Sequence, residues 1–427
     1  MNRPAPAANA LPEPDVALAE RLFDTLARET ADTLGVTRAA FGPGEQFAHD
    51  LVAGEARKVG LDTRVDAAGN LYVRLPGHGA TGRSIVVGSH LDSVPMGGNF
   101  DGAAGVLAGL AIAVGWQKAG FRLADDLLVL AMRAEESNWF PFSYIGSKTA
   151  LGLLPPEALE VRRSDSGRTL AQHMSELGFD PEPVRAGEPQ IDPASIRAYV
   201  ELHIEQGPVL IEEDQPVAVV TGIRGSFRYR ELRVLGQYAH SGAVPRAYRT
   251  DAVVAAADLV MRLQSEWLKL EADGRDMTFT VGQFFTDPAQ HAFSKISGEV
   301  GMAIDVRSHE PATLEAMHAR CLHHFAEIER IHGVTVERGP KTGSTPAVMD
   351  AGLIEAFQRG QDETGLRRFT MASGAGHDAA TFAGAGVPSV MLFVRNQNGS
   401  HNPDEAMEMP DFDLATRVIA HGLAHLA

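Results

Sequence analysis

The chain has 427 residues, of which 44% are hydrophobic and 22% charged, so it is long enough for two globular domains with sizeable cores. Its 55 acidic and 38 basic side chains give a formal net charge of −17, which argues against a nucleic-acid partner because phosphate binding needs a concentrated basic surface. A single cysteine, Cys321, excludes an intrachain disulfide, and no apolar stretch fits a signal peptide or a membrane span, so we expect a cytoplasmic protein without a membrane partner.

The first half of the chain predicts helices that alternate with short strands. Apolar residues at three- and four-residue spacing indicate helices over residues 15–59, behind a Pro/Ala-rich start that we predict to be a disordered lead-in. Short apolar runs predict strands at Leu71–Leu75, 84–88 and Asp126–Met132, and a helix is expected at Ala103–Ala119. Strands alternating with helices form a largely parallel sheet that helices cover on both faces.

After Gly222 the pattern changes, and past Thr345 it returns to α/β. The elements expected between them are a strand at 226–237, a helix at 251–271, strands at 277–285 and 299–307, a helix at 313–332 and a strand at 334–337. This β-α-β-β-α-β order predicts a ferredoxin-like α+β domain at residues 222–342. The domain would be inserted into a catalytic α/β domain formed by residues 1–221 and 343–427, with a late helix at 351–364 and a strand at Ser389–Val394.

Two segments with candidate ligands follow the strand at 84–88. His90 stands at its end with Asp92 two residues on, so the imidazole can bind a metal while the carboxylate orients the ring; a hydrogen-bonded structural histidine is the alternative. Asp101 lies in a glycine-rich turn that opens the next helix, where a carboxylate can bridge two cations or cap the helix. Ligands in open α/β sheets bind beyond the carboxyl ends of strands, so both segments are placed for a site.

Three further segments carry candidate ligands. Glu135 and Glu136 follow the strand Asp126–Met132. Adjacent acids there are costly unless a cation offsets their repulsion, so one is expected to bind metal and the other to act as a general base; a solvated turn is the alternative. His203 lies in a strand-like alternating segment and His401 on a loop after Ser389–Val394, and either histidine alone would be interpreted as structural.

Taken together, these residues predict a two-metal hydrolytic site. Three histidines and at least two carboxylates, without a thiolate, form a nitrogen and oxygen ligand set that suits zinc, with manganese, cobalt and nickel as alternatives. With Asp101 as the bridge, each ion would keep one histidine and one further ligand. Such ions lie about 3.5–4 Å apart.

Six segments resemble the hydantoinase/carbamoylase group of di-zinc amidohydrolases. They are GSHLDSVPMGGNFDGAAGV, AEESNWFPFSYIGS, ELHIEQGPVLIE, GQYAHSGAVP, SGAGHDAATFA and NGSHNPDE, and the similarity runs in order from Phe41 to the C-terminus. The group contains N-carbamoyl-L-amino-acid hydrolases, β-ureidopropionases and allantoate amidohydrolases, within a superfamily of di-zinc aminopeptidases, dipeptidases and aminoacylases. HIEQGPVL separates the group from its peptidase relatives.

The resemblance implies a role for each candidate in the catalytic domain. The implied ligands are His90 and His203 for one zinc, Glu136 and His401 for the other, and Asp101 as the bridge. Glu135 matches the general base that takes a proton from the attacking water. Asp92 matches the carboxylate that orients His90.

The inserted domain resembles the group's lid, which also forms the homodimer contact. His240 matches a residue that reaches the active site of the second subunit and polarises the scissile carbonyl. Arg307 matches the arginine that binds the substrate carboxylate, a role that suits a planar guanidinium. Gln206 matches a polar substrate contact.

The chain departs from the group around the substrate. Many members carry an asparagine that helps to hold the substrate, whereas this chain has HAFSKISG, so His291, Ser294 or Lys295 is a candidate to replace it. The usual HAG is HSG here, a usual proline-methionine pair is Pro245-Arg246, and NWF follows the two glutamates in place of a common GSRF. None of these differences affects a predicted metal ligand. They lie around the substrate, so the resemblance does not determine which substrate is bound.

We therefore predict a metal-dependent amidohydrolase that cleaves a linear ureido C–N bond. An N-carbamoyl-L-amino acid, a β-ureido acid or allantoate would fit, and a carbamoyl acid would give an amino acid, carbon dioxide and ammonia. A dipeptidase or N-acyl-L-amino-acid hydrolase of the same superfamily is the alternative. A metal-dependent binding protein without turnover is a more distant one.

Overall fold

The computed structural model of the protein describes residues 11–79 and 81–426, which form two compact units. The first unit takes in the described residues up to Thr221, together with Met349–Met371 and those from His377 onward. The second unit takes in Gly222–Val348 and Ala372–Gly376. The predicted disordered lead-in falls mostly on residues 1–10, outside the described residues. The catalytic and lid roles of the two regions stay predictions.

The first unit is built on a mixed sheet with four parallel strands at its centre. In order across the sheet these are Asp126–Met132, Ser84–His90, Ile196–Ile204 and Ser389–Val394. On one side the sheet continues antiparallel through Leu71–Leu75 and Asp62–Val65, and on the other through Val217–Ile223, beside which Thr370–Ser373 pairs. The predicted α/β class with a largely parallel central sheet is confirmed.

Helices pack against this sheet around one long buried helix. Ala103–Ala119 contacts three of the parallel strands, and its residues from Ala103 to Trp116 are all buried because the helix is apolar on every side. The other α-helices of this unit are Val16–Glu29, Pro43–Lys58, Ile145–Ala150, Leu170–Glu176, Pro181–Arg185, Val209–Glu212, Ala351–Glu363, Asp378–Gly384 and Met409–Ala424, with 3-10 turns at Pro156–Glu160 and Pro193–Ser195.

The second unit is an antiparallel sheet packed on two long helices. Its strands lie in the order Thr335–Glu337, Gly225–Leu235, Glu299–Ser308 and Thr278–Phe285, and Lys341–Ser344 also pairs with Gly225–Leu235. The helices are Ala252–Ala272 and Pro311–His332, and the predicted β-α-β-β-α-β order is present. Short elements complete the unit: a ribbon of Ala239–His240 with Lys295–Ile296, the strand Ala347–Val348 and the 3-10 turn Arg246–Tyr248.

No helix within residues 11–79 and 81–426 combines the length and the hydropathy that crossing a membrane requires. The structure also extends the second unit to Val348, whereas the sequence placed its end at residue 342. The reasons are that Ala347–Val348 pairs with Gly222 and Ile223, and that Lys341–Ser344 pairs with the strand Gly225–Leu235. The four residues of Lys341–Ser344 are all exposed, so the sequence carries no burial pattern that would mark them as a strand.

A half-buried carboxylate, that of Asp276, stabilises the second unit just before the strand Thr278–Phe285. Asp276 accepts hydrogen bonds from Arg224 Nε at 2.9 and 3.0 Å and from the His309 backbone N–H at 2.9 Å. Burial opposes ionisation, but the hydrogen bonds from His309 and Arg224 outweigh it and hold the pKa of Asp276 well below its usual value. Ionised Asp276 therefore stabilises the folded chain relative to the unfolded chain.

We expect Asp276→Asn to lower the free energy of unfolding at pH 7 by about 2 kcal/mol, the range of a hydrogen bond to a charged group. A lowered carboxyl pKa adds stability above the unfolded-state pKa, so the difference between wild type and variant should shrink as the pH falls below about 4. Calorimetric melting temperatures of both proteins from pH 7 to pH 3 measure this difference in stability. A difference that stays constant over this range would contradict the assignment.

Candidate metal centre

The carboxyl ends of the parallel strands bring the predicted metal ligands of the first unit together. His90 is the last residue of Ser84–His90, and His203 lies near the end of Ile196–Ile204. Glu136 follows Asp126–Met132, and His401 lies on the loop after Ser389–Val394. Asp101 stands in the turn before the long buried helix. Parallel strands end at one edge of the sheet, which is why segments far apart in sequence meet there.

One group of three side chains forms a candidate ligand set around His90, Asp101 and His203. Asp101 Oδ1 lies 3.1 Å from His203 Nε2 and 3.5 Å from His90 Nε2. All three side chains are buried. The two Nε2 atoms therefore converge on one carboxylate oxygen, an arrangement that suits a divalent cation with nitrogen and oxygen ligands.

A second group shares the same carboxylate. It consists of Asp101, Glu136 and His401. His401 Nε2 lies 3.4 Å from Asp101 Oδ2 and 3.1 Å from Glu136 Oε1. The two oxygens of Asp101 thus face different groups, as a bridging carboxylate would. The side chain of His401 is 48% exposed, so this half of the site opens to solvent.

In the rings of His90 and His203, the nitrogen that faces away from Asp101 has a contact of its own. His90 Nδ1 lies 3.3 Å from Asp92 Oδ1, and His203 Nδ1 lies 2.9 Å from the Ile204 carbonyl oxygen. Such contacts fix the ring orientation and leave Nε2 as the metal-binding atom. Gly102 makes room for the His90 ring, since a Cβ there would lie 2.4 Å from its Nε2, and its φ of 65° suits glycine.

The electrostatics of the site fit bound cations. Hydrogen bonds to Asp101 and Glu136 raise the pKa of His401 to about 10. Burial would raise the pKa of Asp101, but the neighbouring His203 and the other imidazoles hold it well below its usual value. When imidazoles lie this close to carboxylates, protons on the imidazoles balance the negative charge of the carboxylates. A divalent ion can take the place of those protons, so the donor set fits the metals that the sequence predicts.

Glu135 lies beside the ligand groups without belonging to either. Its Oε2 is 4.0 Å from His90 Nε2, and burial raises the pKa of its carboxyl well above the usual value. The Asp92 carboxylate accepts the backbone N–H of Glu135 at 3.0 Å and that of Glu136 at 3.2 Å. Asp92 therefore contacts both the His90 ring and the turn that carries the two glutamates.

Gln206 contacts the carboxylate of Asp101, a contact that the sequence does not predict. Its Nε2 donates to Asp101 Oδ2 at 2.8 Å, and its backbone is in the left-handed region with φ 63°. Its Oε1 is buried and has no hydrogen-bond partner within the described ranges. Gln206 thus supports Asp101 with one end of its amide and leaves the other end free for a donor.

Sequence reasoning missed Glu405, which joins two loops of the site. Its Oε1 accepts the backbone N–H groups of Phe100 at 2.8 Å and Asp101 at 3.1 Å, and its Oε2 accepts from Ser400 Oγ at 2.8 Å. The loop of Asp101 is thereby tied to the loop of His401. Glu405 belongs to the NGSHNPDE segment, but an acid in a polar loop carries no sequence signal of burial.

The three remaining predicted residues belong to the second unit. His240 is exposed, and its Nδ1 accepts the backbone N–H groups of Gly242 at 3.1 Å and Ala243 at 3.2 Å. Arg307 donates through Nε and Nη2 to Asp305 Oδ2, at 3.0 and 2.8 Å. His291 is exposed, with Nδ1 2.9 Å from Thr286 Oγ1. Each of these three residues contacts neighbours within the second unit, and its role toward substrate stays a prediction.

Comparison with known proteins places the chain in a family. Residues 86–425 match the model of peptidase family M20/M25/M40. The chain belongs to this family. The M20/M25/M40 match covers the elements that carry all of the candidate metal ligands, and the predicted relationship to the zinc aminopeptidase–aminoacylase superfamily is confirmed.

Several M20/M25/M40 relatives align over nearly the whole chain. It is 35% identical to an N-carbamoyl-L-amino acid amidohydrolase of Geobacillus stearothermophilus, over 92% of this chain and 94% of that protein. It is 31% identical to an allantoate amidohydrolase of Escherichia coli K12, over 92% and 93% of the two chains. A hydantoinase/carbamoylase family amidase of Burkholderia ambifaria is 30% identical, with a TM-score of 0.84 over 97% of this chain and 96% of that one. The predicted hydantoinase/carbamoylase relationship is confirmed.

Proposed function

We propose that this protein is a two-metal amidohydrolase that cleaves the C–N bond of a linear ureido acid, with N-carbamoyl-L-amino acids as the first substrate class. The observation that carries the proposal is the carboxylate of Asp101, which belongs to both candidate ligand groups. A pair of ions so bridged is the arrangement used for metal-assisted hydrolysis. Relatives named as an N-carbamoyl-L-amino acid amidohydrolase and an allantoate amidohydrolase support a ureido substrate.

The proposed ligands are His90, Asp101 and His203 for one ion and Asp101, Glu136 and His401 for the other. Zinc suits these nitrogen and oxygen donors, and manganese, cobalt and nickel are the alternatives. Two divalent ions bound there would supply the Lewis acidity that lowers the pKa of the attacking water and polarises the ureido carbonyl.

Glu135 is the proposed proton carrier. Its carboxylate belongs to neither ligand group and has Oε2 4.0 Å from His90 Nε2, so in its ionised form it can take the proton of the attacking water and pass it to the leaving nitrogen. Asp92 would keep the base in place through the backbone N–H of Glu135 and would also orient His90.

The second unit is proposed to supply substrate contacts. Because Nδ1 of His240 accepts two backbone N–H groups, its ring proton sits on Nε2, which can donate to a carbonyl oxygen. Arg307, held at one edge of its guanidinium by Asp305, is proposed to bind the substrate carboxylate. Gln206 and His291 are proposed as further polar contacts, and the free Oε1 of Gln206 supports the first of these.

Ammonia release by the zinc- or manganese-loaded enzyme tests the proposal directly. The substrates are N-carbamoyl-L-amino acids, N-carbamoyl-β-alanine and allantoate, with N-acetyl-L-amino acids and dipeptides as controls assayed for amine release. We expect turnover of ureido acids only. Turnover confined to the N-acetyl or peptide controls would overturn the proposal in favour of the aminoacylase or dipeptidase alternative.

We also propose that the second unit is a lid that forms a homodimer contact. Three exposed apolar side chains, Val254, Met261 and Leu268, recur at seven-residue spacing along the helix Ala252–Ala272 and are 53%, 65% and 55% exposed. Seven-residue spacing places them on one helix face. Exposed apolar side chains that recur on one helix face are a feature of contact surfaces.

Met261→Glu should weaken the dimer, because a charge would be buried at the contact. Sedimentation velocity at several protein concentrations measures the monomer fraction, with Leu153→Glu as the matched control, since Leu153 is 51% exposed in the first unit. The control should sediment as wild type does. A wild-type protein that is monomeric at every concentration would contradict the dimer.

A further inference from the structure

A buried ion pair lies directly behind the turn that carries the two glutamates. Arg133 Nη1 donates to Glu45 Oε2 at 2.7 Å, and the two side chains are 1% and 0% exposed. Glu45 is near the start of the helix Pro43–Lys58, whereas Arg133 immediately follows the strand Asp126–Met132. Neither residue belongs to the candidate ligand groups.

The guanidinium of Arg133 donates a hydrogen bond through each of its three nitrogens. Its Nε donates to the Gly69 carbonyl oxygen at 2.7 Å, and its Nη2 donates to Gln46 Oε1 at 2.6 Å. The ring of Phe179 lies 4.8 Å from its central carbon. A planar fork bound at three points has one orientation, so Arg133 fixes the position of its own backbone at the end of the strand.

Glu45 uses its remaining hydrogen-bonding capacity on backbone groups. Its Oε1 accepts the N–H of Ala134 at 3.0 Å, and its Oε2 accepts the N–H of Phe41 at 2.7 Å. The next two N–H groups of the turn, from Glu135 and Glu136, bind Asp92. Two buried carboxylates therefore hold three consecutive backbone N–H groups.

The backbone between the strand and the glutamates needs such support. Ala134 has φ 52°, in the left-handed region that residues with a Cβ seldom adopt. A conformation of this kind persists only when the surroundings fix it. The Glu45 carboxylate binds the N–H of this same residue, and Ile145 N–H binds its carbonyl oxygen at 3.1 Å.

We propose that Glu45 and Arg133 are positioning residues that fix the turn on which Glu135 and Glu136 stand. The assignment of a base and a metal ligand to that turn rests on the proposed function, but the backbone constraint does not. A buried ion pair adds little stability compared with a well-packed apolar pair, so its use here lies in the geometry that it imposes. The carboxylate supplies the acceptor for Ala134, and the arginine orients that carboxylate.

Backbone amide exchange measures this constraint without substrate or metal. Glu45→Gln and Arg133→Met should each speed deuterium uptake in the peptide that covers residues 133–137, by about tenfold or more for amides that lose a fixed partner. Asp125→Asn is the matched control. Asp125 is also buried, pairs with Arg197 Nη1 at 2.9 Å, and lies at the opposite end of the strand Asp126–Met132. The control should lower the melting temperature and leave exchange at 133–137 as in wild type.

Kinetics and metal titration of the same variants follow. If the turn is displaced, kcat should fall about tenfold to 100-fold while KM changes less than about twofold, because misplacing a catalytic group affects the chemical step more than substrate binding. Calorimetric titration of the apoprotein with zinc should show weaker binding at one of two sites. Because the two side chains act through one ion pair, the double variant E45Q/R133M should lose exchange protection and kcat by no more than the more affected single variant.

The outcomes separate this proposal from the proposed function. Unchanged exchange at residues 133–137 in both single variants overturns the positioning role, whatever the enzyme hydrolyses. Faster exchange supports it, even if the wild-type protein turns over no ureido acid, a result that would overturn the proposed function alone. A kcat that falls equally in Asp125→Asn would also overturn the positioning role, because the loss would then follow from lowered stability.

Discussion

Replacing Glu135 by glutamine is expected to lower kcat on the ureido substrate by about 10²–10⁴-fold, the usual contribution of a general acid–base group. The amide keeps the size of the side chain but cannot take a proton. Because Glu135 lies outside both ligand groups, the variant should still bind two ions. Steady-state kinetics and the metal content of the purified protein are the measurements.

A control for this variant is Glu157→Gln, which makes the same change at an exposed position in a 3-10 turn. Near-normal turnover by Glu135→Gln would remove Glu135 from the mechanism. Loss of metal from the variant would instead show that Glu135 is a ligand, and the roles of the two adjacent glutamates would have to be exchanged.

Asp101→Ala is expected to lower the affinity for both ions together, because both candidate ligand groups contain this carboxylate. Loss of a group that merely supports a ligand costs about 10–100-fold in metal affinity, so loss of the bridge should exceed about 100-fold. Turnover should fall to background. Mass spectrometry of the dialysed wild-type and variant proteins measures how many ions each retains.

The matched control is Asp404→Ala, since Asp404 is exposed on the loop of His401 and belongs to neither group. It should keep both ions. If Asp101→Ala lost one ion and kept the other at wild-type affinity, Asp101 would serve a single ion and the bridged arrangement would be wrong.

The central strands and the ligand positions of this chain could be predicted because two signals coincide. Apolar runs mark buried parallel strands, and the residues directly after such runs must meet at one edge of the sheet. His90, Glu136 and His401 each follow a run of this kind. The distances confirm that these side chains converge, while their roles toward metal stay predictions.

The edge strands were harder to predict. Asp62–Val65 has no buried residue, so its sequence carries neither an apolar run nor an alternation. The strand Val217–Ile223 is apolar, but a short apolar run is also compatible with a helix segment. In both cases the pairing partner, rather than the local sequence, determines the structure.

The supporting contacts of the site could not be predicted, for a related reason. Glu45 and Arg133 are 88 positions apart, and Asp101 and Glu405 are 304 positions apart. Each of these residues is charged and would be placed at the surface from composition alone. Their burial follows from hydrogen bonds to backbone groups of distant loops, which one sequence does not reveal.

The uneven exposure of the two ligand groups has a consequence for how the enzyme would acquire its metals. Every side chain of the His90 group is buried, whereas His401 is 48% exposed and sits on a loop. An ion in the buried group can leave only if neighbouring segments open, while an ion beside His401 can be reached by a chelator from solution. We therefore expect two kinetic phases of metal release, so that brief chelation yields an enzyme carrying one slowly exchanging ion and one replaceable position.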